Sequence, residues 1–201
     1  MDLVDELCKL LIKTDAIKFG IFTLSSGRLS SYYIDLRMVP SFPSAFRSLI
    51  NIYTNLIKEW IGSFDLLAGI PTTGLIFTSA VAFKIKKPLV YVRKEKKEYG
   101  REKRVEGFFK PGDDILILDD LITSGSSIIS TAKVLREEGA RVNKALVLID
   151  RLEGGKERLK EEGIKLYNLT DVLTITDRLY NLHLLTEEQR LAVYRQVKSK
   201  S

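Results

Sequence analysis

The stretch ILILDDLITSGSS at residues 115–127 carries the strongest structural signal in this 201-residue chain. Its first four residues are branched and apolar, which is typical of a strand buried on both faces of a parallel sheet. Asp119 and Asp120 follow at the predicted strand end, and a turn of small residues then leads into a predicted helix. Carboxylates suit sugar hydroxyls or a metal ion, and small residues at a helix start leave backbone N–H groups open to a phosphate. The stretch therefore predicts a site for a phosphorylated ribose.

The composition restricts the class of protein. An apolar fraction of 45% and a charged fraction of 29% are those of a globular protein. Cys8 is the single cysteine and His183 the single histidine, which excludes an internal disulfide and a cluster of several histidines on a metal. No apolar run is long enough to span a bilayer, and the N-terminus lacks the basic start of a signal peptide. We expect a single cytoplasmic domain with no membrane partner.

The positive charge of the chain is concentrated in one segment. The formal net charge is +6, and residues 93–104 hold seven Lys or Arg against three Glu, a local charge of +4. Such a segment predicts an anionic partner, either a polyphosphate or a nucleic acid backbone. A basic surface loop without a ligand is the alternative for this segment taken alone.

Hydrophobic periodicity predicts alternating strands and helices. Apolar spacing gives an N-terminal helix from Leu3 to Leu11, and a hairpin is expected between Ile17 and Leu36. Strands are predicted near 66–70, 89–92, 115–118, 145–149 and 164–167, and helices near 73–84, 126–138 and 155–162. A further helix is expected from a Ser41 cap, with Pro43 just inside, to about Ile61 before Gly62, and the final helix from a capping box of Thr186 and Gln189.

This alternation predicts the α/β class, with a mostly parallel central sheet flanked by helices and its site at the carboxyl ends of the strands. The expected layout is one domain over 1–201, with an N-terminal hood at about 1–40, a core at about 41–180 and a C-terminal helix at about 186–198. The segment LAGIPTTG at 67–74 predicts a second strand-to-helix turn, which is either a pyrophosphate site or an ordinary connection.

Four segments resemble a known family. The stretch 115–127 resembles the phosphoribosyl-pyrophosphate (PRPP) signature of type I phosphoribosyltransferases. Three more are similar to segments of the orotate phosphoribosyltransferases: YVRKEKKEYG at 91–100, KFGIFTLSSGR at 18–28 with SYY at 31–33, and LIDR at 148–151. The segments occur in family order between about residues 16 and 177. The resemblance implies the type I fold and a Mg²⁺-dependent transfer from PRPP to orotate. The products would be orotidine 5-monophosphate and pyrophosphate, in pyrimidine (UMP) biosynthesis.

The resemblance also implies residue roles. Lys97, Asp119 and Asp120 would take part in catalysis, and the two aspartates are the candidates for contact with magnesium. PRPP would be bound by Arg93, Lys94, Lys97, Tyr99, Asp119, Asp120, Leu121, Ile122, Thr123, Ser124, Gly125, Ser126 and Ser127. Orotate would be bound by Lys18, Phe19, Tyr32, Tyr33, Thr123 and Arg151. The working unit would be a homodimer in which the 93–104 loop acts on the partner's site, with no nucleic acid partner.

Two positions depart from the family pattern, and two rival functions stay open. Tyr99 stands where the family usually has histidine, and tyrosine is not a cation near neutral pH. Ala68 stands where many bacterial relatives have lysine, so the site would depend more on backbone amides. The rivals are a phosphoribosyltransferase for another base, which has no need for the segments around Lys18 and Arg151, and a PRPP-sensing regulator that binds nucleic acid.

Overall fold

The computed structural model describes residues 2–23, 27, 29–93 and 104–199. The helices are α1 (Leu3–Lys13), α2 (Pro43–Leu56), α3 (Thr73–Ile85), α4 (Ser126–Glu137), α5 (Gly155–Glu161), α6 (Val172–Asn181) and α7 (Glu187–Lys198). The strands are β1 (Ile17–Thr23), β2 (Leu29–Ile34), β3 (Leu66–Gly69), β4 (Leu89–Val92), β5 (Val105–Glu106), β6 (Asp114–Leu118), β7 (Leu121–Ile122), β8 (Arg141–Asp150) and β9 (Lys165–Asp171).

Seven strands form the central sheet. The order β5-β4-β3-β6-β8 is parallel except at the β4–β5 edge, and β9 pairs in parallel with β8. The short strand β7 pairs with the same edge of β8 as β6 does. Two residues separate the end of β6 from the start of β7. The predicted mostly parallel sheet is confirmed.

Apolar side chains alternate between the two faces of this sheet. Leu116 and Leu118 of β6 enter a cluster with residues of α1, α2, α3, α6 and α7. Ile115 and Ile117 enter a second cluster with residues of α4 and α5. Both faces are therefore covered, which explains why the strand consists of consecutive branched apolar residues rather than alternating polar ones.

The N-terminal hairpin forms a separate two-stranded sheet. β1 and β2 pair antiparallel, as predicted, and Tyr32 and Ile34 of β2 are buried in the core. Gln196 of α7 fixes the hairpin from the other end of the chain: its side-chain oxygen accepts from the Ser31 backbone N–H at 2.6 Å and its nitrogen donates to Ser30 Oγ at 3.0 Å.

The prediction that Ser41 caps α2 is wrong. Residues Leu36–Ser41 form a 3₁₀ helix, and Phe42 occupies the cap position without a side-chain cap. The cause is Pro43, because a residue before proline is pushed into extended conformation, and Phe42 lies at φ −116° and ψ 91°. The helical path continues from Leu56 through one π-helical turn at Ile57–Ile61 and ends at Gly62, as expected.

Helix α6 has no counterpart in the sequence prediction. Its first residues are rich in β-branched side chains, which favour strands. Packing decides in favour of the helix, because Val172, Ile175 and Leu179 lie on one face and are buried. Asp171 caps the start of α6, where its side-chain Oδ1 accepts a hydrogen bond from the Thr174 backbone N–H at 2.9 Å. Among the helices of the described ranges, none is long and apolar enough to cross a membrane.

Candidate functional site

The candidate site lies at the carboxyl ends of β3 and β6. β4, the next strand in the chain, lies beside β3 on one side, and β6 lies beside β3 on the other side. This reversal of strand order leaves a crevice beyond the two strand ends, which is where open α/β sheets bind their ligands.

Asp119 and Asp120 form the two-residue link between β6 and β7, and this link is here called the acid bulge. The Asp119 backbone N–H donates to the Leu146 carbonyl at 3.1 Å, and the Asp120 carbonyl accepts from the Leu148 N–H at 3.0 Å. β8 thus holds the chain on both sides of the two acids. The carboxylates are carried by the sheet rather than by a free loop.

Asp119 is enclosed by neighbouring elements and is 9% exposed. Its carbonyl accepts from the hydroxyl of Tyr53 at 2.8 Å, and its Oδ1 accepts from the Asp120 backbone N–H at 3.0 Å. Gly74 lies against it so closely that a Cβ there would stand 2.3 Å from Asp119 Oδ1. The turn after β3 and the acid bulge therefore form one packed unit.

Burial alters the acidity of both carboxyls. It raises the pKa of Asp119 well above the usual carboxyl value, and the charge of Asp120 raises it further. Burial also raises the pKa of Asp120. Two adjacent carboxyls with raised pKa values favour a ligand that brings positive charge or donates hydrogen bonds, because either restores the ionised form.

Residues 123–127, here called the phosphate turn, follow the acid bulge after β7. Residues 119–128 line a cavity of about 160 Å³, which brings together the nine contiguous residues predicted to hold PRPP. Gly125 precedes α4 at φ +74°, a left-handed conformation, and a Cβ there would lie 2.4 Å from Leu159 of α5. The first N–H groups of α4 have no carbonyl partner within the helix, which suits them to a phosphate.

Leu121 and Ile122 contribute differently from the rest of this stretch. They form β7, and the Ile122 side chain is 2% exposed in the core beside α4 and α5. For Ile122 the predicted PRPP contact is therefore restricted to its backbone.

A second cavity, of about 320 Å³, lies between the turn after β3 and the phosphate turn. Two arginines line it, Arg93 at the end of β4 and Arg104 before β5, facing Pro71, Ser126 and Ser127. Arg93 Nη1 lies 3.3 Å from Glu106 Oε1, and Arg104 Nη2 donates to the Arg93 carbonyl at 3.3 Å. The predicted residues Lys94, Lys97 and Tyr99 lie outside the described residues.

Arg151 at the end of β8 is buried, at 7% exposure, rather than standing on the surface. Its Nη2 lies 3.1 Å from Glu153 Oε1, and its Nε donates to the hydroxyl of Tyr32 at 3.3 Å. The guanidinium lies over the Tyr32 ring, 4.9 Å from its centroid. Tyr32 is fully buried, so its position suits orienting Arg151.

The hairpin places the other predicted base-binding residues on two faces. Phe19 is paired with Tyr32, and Lys18 with Tyr33, so adjacent pairs point to opposite sides of the hairpin. Phe19 packs on the core. Lys18 makes an exposed ion pair with Asp15 at 2.6 Å, and the Tyr33 hydroxyl accepts from Arg37 at 3.1 Å. The structure brings Tyr32 and Arg151 together but does not bring Lys18 to them.

Several residues at the site have no place in the sequence prediction. Tyr53 supports the acid bulge from 66 residues away, and nothing local signals it. Asp35, which pairs with Arg37, adds to the raised pKa of Asp120. Glu153 and Arg158 follow Arg151 closely in the chain. Charged residues so near a predicted site residue are the signal from which sequence reasoning could have identified them.

The acid bulge offers two carboxylates to a metal ion. Within the parts of the chain that the structure describes, no group of three or more His, Cys, Asp or Glu side chains could hold a metal ion. Mg²⁺ commonly binds one or two protein carboxylates and completes its coordination shell with substrate phosphate oxygens and water. The two carboxylates of the acid bulge therefore fit a magnesium ion that binds together with a phosphorylated substrate.

Comparison with known proteins identifies the family. Residues 43–166 match the family described as Phosphoribosyl transferase domain. The orotate phosphoribosyltransferase of Cenarchaeum symbiosum is 42% identical over 203 residues, covering 100% of both chains. The chain belongs to the orotate phosphoribosyltransferase family.

Solved structures agree with this assignment. The crystal structure of orotate phosphoribosyltransferase from Aeropyrum pernix is similar at a TM-score of 0.78 and 36% identity, covering 90% of this chain and 99% of that one. The Leishmania donovani UMP synthase is similar at a TM-score of 0.87 and 30% identity; 97% of this chain matches 42% of that longer one. The predicted family, its fold and its class of enzyme, a pentosyltransferase, are confirmed.

Proposed function

We propose that this chain transfers the 5-phosphoribosyl group of PRPP to orotate at the crevice beyond β3 and β6. The observation that carries the proposal is the acid bulge opening directly into the phosphate turn. Carboxylates for a ribose diol and backbone amides for its 5-phosphate stand together, on the same strand end, in one cavity.

The acid bulge would bind the ribose hydroxyls of PRPP, with magnesium shared between Asp119, Asp120 and the substrate. When bound, Mg²⁺ supplies positive charge to the pyrophosphate oxygens. The two carboxylates oppose the positive charge that develops on the ribose as its anomeric bond breaks. The phosphate turn anchors the other end of the sugar, so the anomeric carbon is held in a fixed position.

The second cavity would receive the departing pyrophosphate. Arg93 and Arg104 already line it, and Lys94 and Lys97 follow Arg93 in the chain. Cations placed where negative charge accumulates in the transition state accelerate the reaction, and no nucleophilic side chain is required. Backbone amides of the turn after β3 would add donors, because Ala68 is buried and offers no charge.

Arg151 would bind the carboxylate of orotate, with Tyr32 holding its guanidinium flat. A guanidinium matches a carboxylate with paired hydrogen bonds, and its burial makes each bond stronger than at a surface. For this contact, the Arg151 guanidinium must either bind Glu153 and the substrate at the same time or release Glu153.

The working unit is proposed to be a homodimer, and α3 supports this. The sequence of α3, TGLIFTSAVAFKI, is apolar on almost every side, yet Phe83 is 88% exposed and Ile76 39% exposed. A helix that is hydrophobic all round normally lies in a protein interior. Because α3 begins at the turn after β3, a second copy packed along it would stand beside the site and could deliver its 93–104 loop.

The activity is tested by ultraviolet measurement of orotate consumption with PRPP, with and without Mg²⁺. We expect turnover that requires the metal, and none with adenine, hypoxanthine or uracil. Consumption of another base in preference to orotate, or a salt-sensitive shift of nucleic acid without turnover, would favour one of the two rival functions.

The dimer arrangement is tested by mixing two inactive variants, Lys97→Ala and Asp120→Asn. If the loop acts on the partner's site, each mixed dimer regains one intact site, and random mixing restores about a quarter of wild-type activity. If the loop acts on its own site, both sites of the mixed dimer lack one group and the mixture stays inactive.

A further inference from the structure

We infer that Arg158 is a positioning residue for the phosphate turn and holds its backbone in the conformation that binds the 5-phosphate of the substrate. The inference rests on the proposed function and adds to it a residue on α5 that lies outside the segments carrying the family resemblance.

Arg158 reaches from α5 to the phosphate turn, 34 residues earlier in the chain. Its Nη1 donates to the Ser124 carbonyl at 2.7 Å and to Ser126 Oγ at 3.2 Å. The Ser124 and Ser126 hydroxyls are themselves 2.9 Å apart. One guanidinium nitrogen thus holds the turn on both sides of Gly125.

The bond to the Ser124 carbonyl determines where the next amide points. In a trans peptide the C=O and N–H groups lie on opposite sides, so a Ser124 carbonyl held toward α5 turns the Gly125 N–H away from it. The left-handed conformation of Gly125 then leads into the first N–H groups of α4. Arg158 therefore fixes the direction of donors that a phosphate requires before any ligand binds.

Charge and packing support the same role. Arg158 is exposed, so its positive charge stands in contact with both solvent and the turn. The backbone beneath it is fixed, because Gly125 lies directly against Leu159 and the Gly155 carbonyl of α5. A phosphate dianion bound by the turn would also be attracted by the charge of Arg158, which lies on the other side of the turn.

The test is calorimetric titration of the full-length protein with ribose 5-phosphate, which needs no acceptor base. Arg158→Met removes the charge and the donor and keeps the length of the side chain. Lys160→Met is the matched control, because it removes the same charge from an exposed position of the same helix. We expect affinity to fall about tenfold in Arg158→Met and to stay within about twofold in the control.

Arg158→Lys separates the charged nitrogen from the rest of the side chain. Since a single nitrogen makes both contacts, a lysine is expected to restore affinity to within about threefold of wild type. In steady-state kinetics Arg158→Met should raise the KM for PRPP and leave the KM for orotate and kcat nearly unchanged. A purely structural loss would move all three, and thermal unfolding of each variant verifies folding.

The outcomes distinguish this inference from the proposed function. A protein that makes orotidine 5-monophosphate but binds ribose 5-phosphate equally well with Met at position 158 overturns the inference alone. So does a Lys variant as weak as the Met variant, because lost packing would then explain the effect. Arg158-dependent binding of ribose 5-phosphate without orotate consumption overturns the proposed function alone.

Discussion

The phosphate turn and the proposed orotate side of the site, formed by Tyr32 and Arg151, differ in how the chain assembles them. The phosphate side, with its acid bulge, uses nine consecutive residues, from the end of β6 into the first turn of α4. The orotate side joins Tyr32 of the hairpin to Arg151 at the end of β8, 119 residues later. The first is held by backbone hydrogen bonds to β8, and the second by buried side chains. With the proposed roles, recognition of the sugar phosphate would be local, whereas recognition of the base would depend on the tertiary packing of the hairpin.

The largest expected effect is at the acid bulge. Asp120→Asn removes the negative charge that is proposed to face the ribose while keeping the shape of the side chain. We expect kcat/KM for PRPP to fall roughly 10²–10³-fold, measured by orotate consumption at saturating orotate. Orotate KM should be unchanged if the two sides are independent. A loss below threefold would remove Asp120 from the chemistry.

Lys97→Ala probes the loop that is proposed to bind the leaving group. Loss of one cation where pyrophosphate departs is expected to lower turnover roughly 10²-fold. Binding of orotidine 5-monophosphate should be retained, since it lacks pyrophosphate. Near-normal turnover would exclude Lys97 and direct attention to Arg93 and Arg104. Lys198→Ala, on α7, is the control.

The orotate side is tested through the Arg151–Glu153 pair. Arg151→Met leaves the buried Glu153 carboxylate without this cation, and we expect a loss of about 3 kcal/mol in the free energy of unfolding, measured by urea denaturation. The orotate KM should rise, with PRPP affinity unchanged.

The double variant Arg151→Met with Glu153→Met separates folding from recognition. It should regain most of the stability, because two apolar side chains replace the ion pair, while the orotate KM stays high. Recovery of the orotate KM in the double variant would show that Arg151 acts only through folding.

The raised pKa values of Asp119 and Asp120 predict a pH dependence on the phosphate side. Below its raised pKa each carboxyl is protonated in the absence of ligand. Binding of Mg²⁺ with PRPP favours the ionised form, so protons are released. Affinity should therefore rise with pH above the range in which an ordinary carboxyl ionises. Calorimetry in buffers of different ionisation enthalpy counts the protons.

Asp120→Asn is the control for this titration, because the phosphates of PRPP titrate in the same range. The variant should release fewer protons than the wild type and show a flatter rise. Equal proton release in both proteins would contradict the role given to the acid pair.

The smallest expected effect is at Tyr53, which supports the acid bulge from α2. Tyr53→Phe removes the hydroxyl that donates to the Asp119 carbonyl, at a cost of about 1 kcal/mol in the free energy of unfolding. The KM for PRPP should rise slightly and the KM for orotate should not. Tyr167→Phe, on β9, is the control, and equal effects of the two variants would show that Tyr53 has no special relation to the site.

The same contrast explains what the sequence could predict. β6, the acid bulge, Gly125 and the start of α4 are encoded by neighbouring residues with distinct preferences, and the structure has them where the pattern indicates. The burial of Arg151, by contrast, depends on how the hairpin folds over β8, and the contact from Tyr53 depends on the position of α2. No local pattern reports such contacts.

Two errors in the helices have the same origin. Ser41 is a favourable cap by residue type, but the restriction that Pro43 places on Phe42 moves the helix start. The first residues of α6 favour a strand by residue type, but burial of one helical face outweighs that preference. Local preference fails where a neighbour or the core imposes a stronger constraint.

Strand β8 has a further consequence for the reaction. It bonds to the acid bulge at Leu146 and Leu148 and ends at Asp150, and Arg151 follows directly, three residues past Leu148. At about 3.3 Å per residue, the strand places Arg151 about 10 Å beyond the backbone that holds the acids. In the proposed binding mode, one extended segment would set the distance between the two reactants. A single inserted or deleted residue there would then separate donor from acceptor while leaving each half able to bind.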